Sequence, residues 1–118
     1  MPECIIEPDE EWESKIGPNK TVEGTFFFQD DGAGGIKGQF VAESGTTEPE
    51  EVRVVCTPEF VIIFRPARSP QYIYFGLPFT EDDDKKAIGK RHRGGGQLSS
   101  EGPNPFVVAD DWIAEKTT

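Results

Sequence analysis

Leucine is normally among the commonest residues and a strong helix former. Here it occurs only twice, at Leu77 and Leu98, while isoleucine occurs nine times, phenylalanine nine and valine eight. β-Branched and aromatic side chains fit a pleated, half-buried surface and lose rotamer freedom in a helix. The bias excludes a helical bundle and argues against an α/β fold. With 118 residues the chain has the size of one domain. The expectation is a single all-β unit over residues 1–118.

Alternation and turn signals place the strands. Val22 to Gln29 puts Val22, Gly24, Phe26 and Phe28 on one face and Glu23, Thr25, Phe27 and Gln29 on the other. Asp30 to Gly35 is built from residues that tolerate positive φ, and Ile36 to Glu43 returns with Ile36, Gly38, Phe40 and Ala42 on one face. Gly24 and Gly38 on the apolar side suggest tight bending. After the loop at 44–49, Glu51 to Thr57 alternates again, with Val52, Val54 and Cys56 inward. Glu59 to Arg65 is apolar on both faces and reads as a central, buried strand. A proline-bounded turn over 66–70 leads to Gln71–Gly76, and Phe106–Ala109 and Trp112–Lys116 close the chain as one or two strands. Residues 1–20 read as an acidic lead-in pinned by Trp12. Residues 79–105 read as a long, flexible, charged loop, within which Ala87 to Arg91 has room for a short strand. Seven or eight strands in hairpin order predict a small antiparallel β-barrel of up-and-down type, or a two-sheet β-sandwich. In outline this resembles lipocalin-like and avidin-like barrels. The Gly-x-Trp signature of the first lipocalin strand is absent, and no family is assigned.

Net charge is −10, from 22 acids and 12 bases. Such a surface repels phosphate backbones, so it disfavours nucleic acid and favours a basic protein partner. The first 13 residues carry six acids, no base and no apolar run, so a cytoplasmic location is expected. No stretch approaches the length of a membrane span. Two cysteines, Cys4 and Cys56, leave pairing open: a disulfide would persist only in an oxidising compartment.

Familiar catalytic signatures are missing. The single histidine, His92, stands between two arginines and before three glycines, without a carboxylate to orient it as a base. One histidine and two distant cysteines do not make a zinc site, and Asp30-Asp31 and Asp82-Asp83-Asp84 lack calcium-loop spacing. No metal and no cofactor are expected.

Two constellations stand out. Tyr72, Tyr74, Arg65 and Trp112 would point into a barrel, where aromatic walls and a few polar groups could hold a small apolar molecule. The competing expectation is a filled core with the tyrosine hydroxyls reaching the rim. Residues 85–93 hold five bases and no acid. Lys85, Lys86, Lys90, Arg91 and Arg93 would contact an anion or partner, or neutralise the neighbouring acids. The leading functional expectation is a non-catalytic binding module for a small apolar ligand or a basic protein, of inhibitor or accessory type. The alternatives are a cyclase- or isomerase-type barrel enzyme working by confinement, with a tyrosine or carboxylate as acid or base, and a protein that associates with or mimics nucleic acid. Apolar residues on both faces of Phe60 to Arg65 also suggest a homodimer.

Overall fold

Our computed structural model describes residues 4–43, 48–66, 71–94, 98–99, 102–103 and 107–117. The strands are β1 (Glu11–Ile16), β2 (Thr21–Asp30), β3 (Ile36–Ala42), β4 (Glu50–Cys56), β5 (Val61–Arg65), β6 (Gln71–Glu81), β7 (Asp84–Gly94), β8 (Leu98–Ser99), β9 (Gly102–Pro103) and β10 (Val107–Lys116). No helix occurs among the described residues, and none is long and apolar enough to cross a membrane. Eight strands form one closed antiparallel barrel in the order β1-β10-β7-β6-β5-β4-β3-β2, and β8 and β9 pair separately. The expected small β-barrel is therefore the architecture, and the sandwich is not. Closure gives every barrel strand a partner on both sides.

Two expectations need correction. The acidic lead-in at 1–20 contains β1, which pairs with both β2 and β10 and closes the barrel. Its outward side is charged (Glu11, Glu13, Lys15), while Trp12 and Ser14 are buried. The long charged loop at 79–105 is, up to Gly94, the β6–β7 hairpin, paired from Gln71↔Gly94 to Glu81↔Asp84. Its turn is Asp82-Asp83, both at positive φ (51° and 70°), the backbone of a two-residue I′ turn. Pro78 sits inside β6, but pairing with β5 ends at Val61↔Gly76. Beyond Gly76 that side of β6 needs no N–H, so proline is tolerated. The rest of the expected loop, apart from the β8–β9 pair, falls outside the described residues. So do residues 44–47 and 67–70.

The interior is aromatic. Trp12, Phe26, Phe28, Phe40, Tyr74 and Trp112 are buried together with Val52, Val61, Ile63, Ala87 and Ala114. Phe26 lies 5.9 Å from Phe28, 5.0 Å from Phe40 and 5.4 Å from Tyr74, ring centroid to centroid, and Tyr74 lies 5.2 Å from Trp112. Such offset and edge contacts add to the area buried. The rings need space. A Cβ on Gly24 would sit 2.5 Å from the Phe40 ring, and one on Gly76 2.6 Å from Trp112. The inward glycines make room for rings from nearby strands.

Strand β5 is not the doubly covered strand its sequence suggests. Val61, Ile63 and Arg65 are buried inside, whereas Ile62 and Phe64 are half-exposed on the outer wall.

Candidate functional site

The two ends of the barrel differ in chemistry. At the end holding the β1–β2 connection, two β-bulges turn polar side chains inward. Pairing of β1 with β2 passes from Ser14↔Gly24 to Lys15↔Val22 and skips Glu23. Pairing of β10 with β7 passes from Val108↔His92 to Asp110↔Arg91 and skips Ala109. A bulge re-aims the side chains beside it. Glu23 thus joins the inward row instead of the outward face its position in the alternation predicts.

Glu23 is the hub of a charged network. Its carboxylate accepts hydrogen bonds from the Tyr74 hydroxyl at 2.8 Å, Arg65 Nη1 at 3.2 Å, Arg91 Nη1 at 2.6 Å and Ser14 Oγ at 3.1 Å. Arg65 is also bidentate to Glu50, at 3.0 Å and 2.9 Å, and donates to the Tyr74 oxygen at 2.9 Å. Arg91 reaches Asp110 through Nε at 2.9 Å and through Nη2. The guanidinium of Arg65 lies 3.9 Å from the Phe40 ring centre, and that of Arg91 4.2 Å from Tyr72. Burial opposes the charge on Arg65, but the carboxylates of Glu50 and Glu23 outweigh it and raise its pKa. Arg91 behaves likewise, through Glu23 and Asp110. Burial, reinforced by the Glu23 charge, raises the Tyr74 hydroxyl far above its ordinary range. Its single proton is already donated to Glu23. Among the described residues, no buried side-chain polar atom lacks a partner.

The four residues singled out for ligand contact are therefore neighbours. Arg65 and Tyr74 are hydrogen-bonded, Tyr72 flanks both guanidiniums, and Trp112 packs on Tyr74. They meet as a packed, saturated cluster. The basic run 85–93 is spread along β7 and divided between two faces. Lys85 pairs with Glu10 and Glu7, Lys86 with Glu81, Lys90 with Asp111, and Arg91 with Glu23 and Asp110. Arg93 is exposed.

The opposite end is closed by the N-terminal segment. Asp9 donates to the Phe28 carbonyl at 2.9 Å and Phe28 to the Glu10 carbonyl at 3.0 Å, carrying the segment along β2. Ile6 is buried in the barrel end, and a Cys4–Cys56 disulfide, with Cα atoms 5.2 Å apart, ties the segment to β4. Glu10 is buried beside it. Its carboxylate accepts from Lys85 Nζ at 2.8 Å, the Glu7 backbone N–H at 2.9 Å and Trp12 Nε1 at 3.1 Å. Burial alone would push the Glu10 carboxyl up; the Glu7 backbone, Lys85 and Trp12 outweigh it and hold it below its ordinary value.

This closed end gathers acids from every connection. Glu7 and Asp9 come from the N-terminal segment, Asp30 and Asp31 from the β2–β3 turn, Glu59 from β4–β5, and Glu81 to Asp84 from β6–β7. The Asp31 carboxylate, capped by the Ala33 and Gly35 backbone N–H groups at 2.7 and 2.9 Å, is held below its ordinary pKa. Between the N-terminal segment, this turn and β4 runs an open groove. Ile6, Ile36, Val54 and Val55 give it an apolar lining, with Glu7 and Asp30 also along it. Among the described residues, no group of three or more His, Cys, Asp or Glu is placed to hold a metal ion.

Sequence reasoning missed Glu23, Glu50 and Asp110 in the network and the whole groove. One local signal was available: Gly24, next to Glu23 inside a strand, marks a bulge. No protein-family model, curated protein sequence or solved structure matches this chain.

Proposed function

We propose that the protein is a non-catalytic binding module that takes a basic polypeptide segment at the closed, acidic end of its barrel. The groove between the N-terminal segment, the β2–β3 turn and β4 carries this reading. It offers an apolar lining with the Glu7 and Asp30 carboxylates along it, at the end of the barrel where the acidic connections gather. The matching ligand is a segment that alternates lysines or arginines with apolar side chains. The negative field around the groove would steer such a segment and speed encounter.

Three features support the reading. The aromatic rings fill the barrel from wall to wall, which favours an outer site over a small molecule held inside. The Tyr74 proton is committed to Glu23, which leaves that hydroxyl poorly suited to acid–base work. The Cys4–Cys56 bond supports an oxidising compartment in place of the cytoplasm expected from the sequence.

The test is calorimetric titration of a cationic amphipathic peptide and of its counterpart with every Lys changed to Glu. Only the cationic peptide should bind, and its affinity should fall steeply between about 0.01 M and 0.15 M salt as the screening length shortens. Glu7→Gln with Asp30→Asn should weaken it further. Equal binding of both peptides, or of neither, would overturn the proposal.

A further inference from the structure

The outer wall over β6, β7 and β10 departs from the rest of the surface. Phe75 is 41%, Leu77 55% and Ile88 51% exposed, and Leu77 and Ile88 are cross-strand partners. Side chains on the outside of a closed barrel face water unless something covers them, and a contiguous apolar patch marks an interface. This patch is also nearly free of net charge. Its exposed ions are Lys90 and Asp111, cross-strand partners that pair with each other, and Lys20 beside the β1–β2 connection. On a chain of net charge −10, most approaches of one copy to another are repelled. This wall is where a second copy meets least repulsion.

The relief of the wall points to the same occupant. On one side of β7, β6 projects Phe75 and Leu77. On the other side, between β10 and the β1–β2 connection, lies an open groove lined by Ile88, Ile113, Pro18 and the edge of Trp112. A two-fold axis through the β7–β10 seam would lay the projection of each copy over the groove of the other. The same axis would bring Lys90 of each copy near Asp111 of its mate. A self-complementary patch with a projection and a recess either side of one axis is what an isologous interface requires.

We infer that a second copy of this chain docks on the outer wall of β6, β7 and β10, forming a two-fold dimer. The dimer covers Phe75, Leu77 and Ile88 and leaves both acidic ends free.

Analytical ultracentrifugation across micromolar to millimolar protein tests this. The wild-type chain should sediment as a concentration-dependent dimer. Leu77→Glu and Ile88→Glu, at exposed positions, should keep the β circular-dichroism spectrum and weaken the dimer at least tenfold. Lys90→Asp and Asp111→Lys should each weaken it as well, because each variant sets like charges against each other across the axis. Mixing these two variants should restore a dimer, since every cross-axis pair in the heterodimer is then of opposite sign. Three outcomes would overturn the inference: a wild-type chain that stays monomeric at millimolar concentration, a dimer indifferent to Leu77→Glu and Ile88→Glu, or charge variants that fail to rescue one another.

Discussion

The indole N–H of Trp112 donates to the Ser14 hydroxyl at 2.9 Å, across 98 positions of sequence. The hydroxyl in turn donates to Glu23, so one small side chain joins the aromatic core to the charged network. Both Ser14 and Trp112 are fully buried, at 0% and 2% exposure. Ser14→Ala would leave the indole donor without an acceptor in a dry site. Such an orphan costs about 1–3 kcal/mol. Urea unfolding followed by tryptophan fluorescence should show that loss, and Ser14→Thr should recover part of it. No change in the midpoint would mean the indole finds another partner.

Glu23 faces two guanidiniums from β5 and β7, and removing its charge would leave Arg65 with Glu50 alone, Arg91 with Asp110 alone, and the buried Tyr74 hydroxyl without its carboxylate acceptor. Breaking a buried pair by deleting one partner costs about 3–5 kcal/mol. Glu23→Gln should therefore be among the most damaging single changes in the chain. Glu13, whose carboxylate meets Lys15 at 3.5 Å on the outer wall, is the control. Glu13→Gln should shift stability by less than about 0.5 kcal/mol.

The difference in legibility between strands has a physical basis. Strands β2 and β3 read clearly from sequence because each buries a run of large apolar side chains on one face, Phe26 and Phe28 against Phe40. Strand β7 does not, because its inward row is Lys85, Ala87, Gly89 and Arg91. No periodic apolar signal exists there. The space inside β7 is filled by Trp112 from the neighbouring strand, whose ring leaves no room for a Cβ on Gly76, the cross-strand partner of Gly89. The charge on Arg91 is balanced by Glu23 and Asp110, 68 and 19 positions away. Local patterning cannot report a partner at that distance. The same holds for the groove, which forms only once the N-terminal segment folds back over β4.

Acid should act on the closed end first. The folded-state pKa of Glu10 is lowered from an ordinary value of 4.5. A carboxylate with a depressed pKa contributes stability that is complete above its unfolded value and is lost as pH falls through the folded one. The wild-type melting temperature should hold between pH 7 and pH 5 and decline below about 4.5 as Glu10 protonates. Glu10→Gln should start lower at pH 7 and decline less steeply. Parallel pH profiles for the two proteins would remove Glu10 from the account.

The Cys4–Cys56 bond closes a loop with a sequence separation of 52. Chain-entropy arguments give such a crosslink about 4 kcal/mol. Reduction, or the Cys4→Ser and Cys56→Ser double variant, should lower the urea midpoint accordingly. It should also weaken binding of the cationic peptide, because Ile6 and Glu7 lose their anchor at the groove. A reduced protein of unchanged stability would mean that Ile6 and the Glu10 contacts hold the segment by themselves.

Closure of the wall by β1 and β10 sets the order in which the fold can be completed. Pairings such as Trp12↔Lys116 join strands about a hundred residues apart. During synthesis β1 must wait with one flank unpaired until β10 has left the ribosome. The slow step of folding should then be the search that brings these distant strands together. Until that search succeeds, β1 and β7 each present an open ladder of backbone donors and acceptors. In that interval the nascent protein is most exposed to pairing with the wrong chain.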